Sequence, residues 1–184
     1  FNRVDNVEFW LKEFPDWNLE THNRLVGGIA LGLAVLSGPN RLPLTKLLVE
    51  RGALVNTYSY TGSSILMSAC GNKDSEPSVV KYILEHSGEV NYRRSSRTLK
   101  WHTIKFISKT LVRTSCTSSS LIERLALESG DTALHQATRR GDMEIVELLL
   151  GAGADPSFKN DLGQDAVAMC KSFPELRGVL EKRE

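Results

Sequence analysis

Residues 130–160 read GDTALHQATRRGDMEIVELLLGAGADPSFKN, and this stretch decides the fold. Thr132 follows a Gly-Asp turn and can cap a helix that begins with small apolar residues. Gly141 ends that helix, and the run 144–150 has apolar residues at helical spacing. Gly153 then permits the left-handed backbone in which helices often end. The stretch predicts two short antiparallel helices and an extended turn, which need similar neighbours to bury their apolar faces.

The same stretch resembles one ankyrin repeat. The signature T-P-L-H-x-A falls on residues 132–137, with Ala133 in place of Pro. Gly141, the run 144–150 and Gly153-Ala154-Asp155 also match the family's register. The resemblance implies an all-α fold, an ankyrin-repeat α-solenoid of stacked helix-turn-helix units with extended turns. It also implies a non-catalytic protein-protein interaction module, a scaffold or adaptor.

The capping position of this unit recurs along the chain at Ile29, Ser64, Leu99, Thr132 and Asp165. The interval stays close to the ankyrin period of about 33. We therefore predict a single ankyrin-repeat domain over residues 1–184. Its units are an N-terminal half-repeat cap at 1–26, repeats at 27–61, 62–96, 97–129 and 130–162, and a C-terminal cap at 163–184. In the first cap we expect core packing rather than a ligand pocket from the aromatic residues Phe9, Trp10, Phe14 and Trp17.

The unit at 97–129 keeps the spacing but departs from the repeat sequence, since only His102 matches the signature. Residues 120–123 resemble a capping box that opens a second helix. We expect a helical pair that fills a place in the stack, and a disordered insertion is the alternative. The first helix of the pair has one apolar face: Trp101, Ile104, Ile107 and Leu111.

Basic residues are concentrated in the same region, which has no acidic residue between Glu89 and Glu123. Such a segment could bind nucleic acid, an anionic membrane or an acidic partner, and the alternative is an ordinary solvated helix face. The net charge of the whole chain is +1, which gives no general attraction to polyanions. The basic residues are Arg93, Arg94, Arg97, Lys100, Lys105, Lys109 and Arg113.

The sequence shows no pattern for catalysis or for binding a metal. Cys70, Cys116 and Cys170 form no C-x-x-C pair, which favours a reduced intracellular compartment, the cytoplasm. GGIALG at 27–32 lacks the Gly-Lys-Ser/Thr that a phosphate-binding loop needs. The ankyrin resemblance gives His135 a structural role in hydrogen bonding between turns. We therefore expect no enzyme activity, no catalytic or metal-binding residue and no cofactor.

The expected binding surface consists of the turn tips and the exposed sides of the first helices, which stacking aligns into a concave face. Tyr and Arg often dominate interface energetics. We expect a monomer that binds another protein, with nucleic acid or an anionic membrane as the alternative partner. A regulatory ankyrin segment of a larger enzyme or channel would have the same features. The candidates are Tyr58, Tyr60, Tyr92, Arg93, Arg94, Phe158 and Lys159 at the tips, and Gln136, Arg139 and Arg140 on a first helix.

Overall fold

The computed structural model describes residues 4–21, 29–36, 41–72, 74, 76–95, 99–114, 130–170 and 173–181. Within these ranges the chain is helical, apart from turns and one isolated bridge between Tyr58 and Ser64. The helices are α1 (Val4–Glu13), α2 (Ala30–Leu36), α3 (Arg41–Glu50), α4 (Ile65–Gly71), α5 (Pro77–Glu85), α6 (Leu99–Arg113), α7 (Ala133–Arg140), α8 (Met143–Gly151), α9 (Ala166–Met169) and α10 (Pro174–Glu181).

The helices form pairs that stack in two layers. The first helices α2, α4, α7 and α9 pack in series, and the second helices α3, α5, α8 and α10 do the same. Their facing sides enclose one apolar core, in which Leu31, Ile83, Leu134 and Leu149 are almost completely buried. None of the helices in the described part of the chain is long and apolar enough to cross a membrane. The predicted all-α solenoid is confirmed.

Side-chain caps set the start of three first helices. The side-chain oxygens of Ser64, Thr132 and Asp165 each accept a hydrogen bond from the backbone N–H three residues later. Each bond satisfies one of the amide donors that a helix leaves unpaired at its N-terminus. Leu99, by contrast, is the first residue of α6 rather than a cap before it. The predicted register is therefore present on both sides of α6 but not at α6 itself.

Hydrogen bonds at the turn tips show where the predicted third unit belongs. The Gly62 N–H donates to the Ser59 carbonyl (2.9 Å), which closes a tip over Tyr60 and Thr61. The Gly130 N–H donates to the Arg94 carbonyl (3.1 Å) in the same way. Here residues 95–129 lie between the acceptor and the donor, where the other tip has only Tyr60 and Thr61. Both glycines have positive φ (83° and 75°). Residues 95–129 are thus an insertion in the tip of one turn.

The helix contacts agree with this assignment. α4 packs directly against α7, and α5 against α8, although α6 lies between these pairs in sequence. The prediction that a helical pair over 97–129 fills a place in the stack is therefore wrong, and its second helix, expected to open at 120–123, lies outside the described residues. The insertion is longer than an ordinary tip by about one ankyrin period, roughly 33 residues. Its length preserves the spacing of the flanking units and explains the error.

An asparagine clamp joins the units on the two sides of the insertion. The Asn91 side chain donates to the Gly153 carbonyl (2.9 Å) and accepts from the Asp155 N–H (2.9 Å). Asn56, one unit earlier, makes the same two bonds to the end of the second helix that follows it. Because the two clamps are equivalent, the units containing α5 and α8 are direct neighbours in the stack.

The aromatic residues near the N-terminus are largely outside the core. Phe9, Phe14 and Trp17 are 65%, 53% and 50% exposed. Trp10 is half-buried, and its ring lies 5.3 Å from the Phe14 ring and 4.7 Å from the Trp17 ring between centroids. Leu11 is the buried residue of α1. The expected core packing is therefore wrong for Phe9, Phe14 and Trp17, and the Phe14 and Trp17 rings pack against Trp10 at the surface instead.

Candidate protein-binding surface

The first helices present equivalent side chains on the side that faces away from the second helices. Counted from the caps, the second, fifth and sixth positions of α2, α4 and α7 are buried, and the fourth and seventh lie on the opposite side of each helix. Leu33, Ser68 and Gln136 occupy the fourth position, and Leu36, Gly71 and Arg139 occupy the seventh. Stacking therefore arranges these residues in two parallel rows along the concave face.

A groove opens in this face beside α2. Its volume is about 260 Å³. Leu33 and Leu36 are 46% and 47% exposed, which leaves two large apolar side chains open to solvent. The residues of the groove are the apolar Ile29, Gly32, Leu33, Leu36 and Ile65 and the hydroxyl-bearing Ser59, Thr61, Ser63 and Ser68. Leu33 and Leu36 are absent from the sequence candidates, although their register after the capping position could have identified them.

The tip candidates Tyr58 and Tyr92 lie together. Their ring centroids are 4.4 Å apart, and the Tyr58 hydroxyl donates to the Glu89 carboxylate. Both rings and that of Tyr60 are half-buried. The tips thus present a small aromatic surface next to the groove, because Tyr58 and Tyr60 precede the groove residue Thr61 in the same tip.

The other tip candidates are Arg93, Phe158 and Lys159. The Arg93 guanidinium donates to the Lys159 carbonyl (2.9 Å) and pairs with the Asp161 carboxylate (3.5 Å). Arg93 therefore links the tip of its own unit to the tip of the following one. Phe158 is half-buried, and the Lys159 side chain is exposed.

Two cationic side chains meet at Thr61, on the edge of the groove. Lys105 Nζ donates to the Thr61 carbonyl (2.7 Å), and Arg94 Nη2 donates to its hydroxyl (3.4 Å). Lys105 is only 5% exposed, so this bond fastens α6 to the neighbouring tip. Arg93, Arg94 and Lys105 thus have partners within the protein, while Lys100 is exposed. Arg97 and the side chains of Lys109 and Arg113 lie outside the described residues.

The α7 candidates Gln136 and Arg139 surround a buried carboxylate. Asp131 is fully buried, and its Oδ2 accepts from Gln136 Nε2 (3.0 Å) and Arg139 Nη2 (2.6 Å), while Oδ1 accepts from Asn160 Nδ2 (3.1 Å). Burial raises the pKa of Asp131, and the Arg139 charge opposes that rise. Gln136 is itself buried, which corrects the expectation that it is exposed; the Arg139 side chain is 31% exposed.

Arg140 connects two first helices. Its Nη1 donates to the Cys70 carbonyl at the end of α4 (3.0 Å), and its Nη2 pairs with Asp142 (3.3 Å). The side chain is 18% exposed. The sequence placed Arg140 on an open helix face, and the structure instead shows it holding α7 against α4.

His135 joins α7 to the next tip. Its Nδ1 accepts from the Thr132 N–H (3.2 Å), and its Nε2 is 3.0 Å from the Gln164 carbonyl. A neutral imidazole with the proton on Nε2 satisfies both bonds. Burial lowers the pKa of His135, which favours the same neutral form. His135 thus bridges two successive units.

The described residues hold no group of three His, Cys, Asp or Glu side chains placed to bind a metal ion. Cys70 and Cys170 are buried free thiols, and burial raises the pKa of Cys70; Cys116 lies outside the described residues. A thiol with a raised pKa is a poor nucleophile.

Two layers of stacked helix pairs, linked by tips with glycines of positive φ, define a helical repeat protein. Comparison with protein families identifies the repeat, since the Ankyrin repeat matches residues 129–161. The chain contains an ankyrin repeat at residues 129–161, within a stack of helix pairs. Ankyrin repeats generally mediate protein-protein interaction.

A search of curated proteins matches BRCA1-associated RING domain protein 1 of Caenorhabditis elegans. That protein is 30% identical to this chain over 143 residues, which cover 78% of this chain and 15% of the relative. The chain thus corresponds to a small part of the relative's length.

Proposed function

We propose that this chain is a scaffold or adaptor module, which binds another protein on the concave face and the turn tips. The observation that supports this function best is the groove beside α2, where Leu33 and Leu36 are both almost half exposed. Exposed apolar side chains that line a concave surface are typical of protein-binding sites. We also propose that the chain is a monomer in the cytoplasm and that it has no catalytic role and no cofactor.

The sequence candidates divide into two groups under this proposal. The first group contacts the partner: Tyr58, Tyr60, Tyr92, Phe158 and Lys159 at the tips, together with the exposed part of Arg139. The second group maintains the surface through bonds inside the protein: Arg93, Arg94, Gln136 and Arg140. Leu33 and Leu36 join the contact group.

The test is a pull-down from cell extract with quantitative mass spectrometry. Wild type is compared with a Leu33→Ser/Leu36→Ser variant, in which the replaced side chains are already partly exposed. The matched control is Glu144→Gln/Glu147→Gln, which changes two exposed residues of the second helix α8. We expect a set of proteins that the groove variant loses and the control retains. Equal recovery by all three chains would contradict a concave binding face.

A regulatory ankyrin segment of a larger enzyme or channel would use the same surface. Docking of nucleic acid or anionic lipid through residues 93–113 is weakened by the structure. Arg93, Arg94 and Lys105 already donate to oxygen atoms of the protein itself. A cation that binds a phosphate must first be released from such bonds, which reduces the net gain.

A further inference from the structure

We propose that the aromatic surface at the end of α1, formed by Trp10, Phe14 and Trp17, is a second binding site that takes an arginine side chain from a basic segment of a partner protein. Three properties support this occupant: the exposed rings, the unpaired carboxylates beside them, and the direction of the neighbouring cations. The site is separate from the concave face, because α1 packs against the second helix α3. The inference therefore goes beyond the proposed function and does not depend on it.

The three rings meet where α1 ends. The ring centroids of Phe14 and Trp17 lie 5.3 Å and 4.7 Å from that of Trp10. The Phe14 N–H donates to the Trp10 carbonyl (3.0 Å), and the Trp17 N–H donates to the Phe14 carbonyl (3.2 Å), which holds the turn that brings the rings together. Phe14 and Trp17 are nevertheless exposed. Because the face of an aromatic ring attracts a cation, these exposed rings suit a cationic partner.

Two carboxylates adjoin the exposed rings in the sequence. Glu13 precedes Phe14, and Asp16 precedes Trp17. Both carboxylates are exposed, and neither has a hydrogen bond or an ion pair with the described residues. The C-terminal end of α1 adds the partial negative charge of its last carbonyl groups. Arginine fits this combination best, because its planar guanidinium stacks on aromatic rings and donates two parallel hydrogen bonds to a carboxylate.

The described region around α1 has an excess of negative charge. Lys12 is the only basic residue within 4–21, and it pairs with Glu8 (3.3 Å). Lys12 is two residues from Trp10, so it lies on the other side of the helix from that ring. Arg3 and Arg24 flank this range in the sequence and lie outside the described residues. The acidic residues within 4–21 are Asp5, Glu8, Glu13, Asp16 and Glu20.

The cations of α3, the helix that packs against α1, are directed towards the next unit. Arg41 pairs with the Glu76 carboxylate (3.6 Å), just before α5. Lys46 Nζ lies 5.7 Å from the centre of the Tyr82 ring on α5. Arg51 follows α3 and is exposed, but no cation among the described residues lies over a ring of the aromatic surface. The complementary cation can therefore come from a partner.

The experiment titrates the whole chain with a short peptide of alternating arginine and glycine. The matched control peptide carries citrulline, which has nearly the shape of arginine but no charge, at each arginine position. Binding is followed by the indole N–H signals in two-dimensional NMR spectra. We expect the Trp10 and Trp17 signals to shift and the Trp101 signal to stay in place. The citrulline peptide should bind about tenfold more weakly, since it loses both the cation–π attraction and the charge-assisted bonds.

A first pair of variants tests the rings. Phe14→Leu/Trp17→Leu removes two aromatic faces but keeps apolar side chains at positions that are already exposed. This change should weaken binding of the arginine peptide about fivefold, read from the Trp10 signal. The control is Phe106→Leu, which replaces an exposed ring on α6 and should leave the Kd unchanged. Thermal melts establish that each variant is folded.

A second pair of variants tests the carboxylates. Glu13→Gln/Asp16→Asn should weaken binding of the arginine peptide about fivefold, because it removes the acceptors beside the rings. Glu144→Gln/Glu147→Gln makes the same change in net charge on exposed residues of α8 and should leave the Kd unchanged. Equal weakening by the two variants would show a general attraction between opposite charges, which would refute a site at α1.

Three other results would overturn the inference. Equal binding of the arginine and citrulline peptides would show that no cation is recognised. No shift of the Trp10 and Trp17 signals at millimolar peptide would show that the aromatic surface binds no arginine. Binding that is lost in Leu33→Ser/Leu36→Ser but kept in Phe14→Leu/Trp17→Leu would place the peptide on the concave face, so the proposed function would stand and the inference would fail.

Discussion

Substitution of Asn91 by alanine tests whether residues 95–129 are an insertion between two units that are direct neighbours. The variant loses the bond to the Gly153 carbonyl (2.9 Å) and the bond from the Asp155 N–H (2.9 Å). A hydrogen bond contributes a net stability of about 0.5–1.5 kcal/mol, so Asn91→Ala should cost about 1–3 kcal/mol. The exposure of Asn91 favours the lower half of that range.

The matched control is Asn56→Ala at the preceding junction. Asn56 donates to the Ser87 carbonyl (2.8 Å) and accepts from the Glu89 N–H (3.0 Å), so it makes the same pair of bonds without an insertion nearby. Urea denaturation followed by circular dichroism should give similar losses in the free energy of unfolding for the two variants. Direct stacking across the insertion would be refuted if Asn91→Ala were as stable as wild type while Asn56→Ala were destabilised.

Four further changes test the packing, the insertion and the polar network. Leu149→Ala should cost about 2–5 kcal/mol in urea denaturation because the side chain is 0% exposed, and a cost below about 1 kcal/mol would contradict its place in the core. Arg140→Ala should lower the free energy of unfolding by about 1–3 kcal/mol, because it removes the hydrogen bond to the Cys70 carbonyl at the end of α4. Lys159→Ala, at an exposed position, should lower it by less than about 0.5 kcal/mol. Equal losses would refute the contact between Arg140 and α4. Replacing residues 95–129 by Gly-Ser, the length of the tip at Tyr60-Thr61, should keep one cooperative melting transition, and loss of the transition would show that the insertion supports the stack. The free energy of unfolding should fall as the pH is lowered below about 6.5, because burial lowers the pKa of His135 and the unfolded chain therefore binds the proton first. His135→Gln should reduce this dependence of stability on pH. An unchanged dependence would refute the role of His135 as a buried neutral imidazole.

Local signals in the sequence predicted much of the fold. Thr132 and Gly141 begin and end α7 as the capping and turn rules require, and Asp165 caps the last first helix. These features depend on residues within one turn of a helix, so a sequence shows them directly. The matched repeat at 129–161 belongs to the same part of the chain.

The insertion could not be separated from a repeat by spacing, because its excess length equals about one ankyrin period. Two features of the sequence did point to an insertion: the repeat signature around His102 is weak, and the units on both sides match the repeat pattern well. Pairing of Arg94 with Gly130 is a contact between residues far apart in sequence, and no local pattern reports it.

The candidate surface was only partly predictable for a related reason. Arg139 and Arg140 lie at positions that helical spacing leaves open, but a buried carboxylate at Asp131 and a carbonyl of α4 draw their side chains inward. Leu33 and Leu36 were visible as apolar residues at outward positions. The chemistry of Arg and Tyr side chains selected the candidates for the binding surface in the sequence. The exposed fractions in the folded chain add Leu33 and Leu36 to them.

Hydrogen-deuterium exchange with mass spectrometry tests the central claim, that a partner protein binds the concave face. The chain is compared alone and with a protein recovered in the pull-down. We predict slower exchange on binding at residues 29–36, 58–68 and 133–140, which contain the first helices and the groove-side tip. Unchanged exchange is predicted for the second helices at 41–50, 77–85 and 143–151. Protection confined to the second helices would contradict the account.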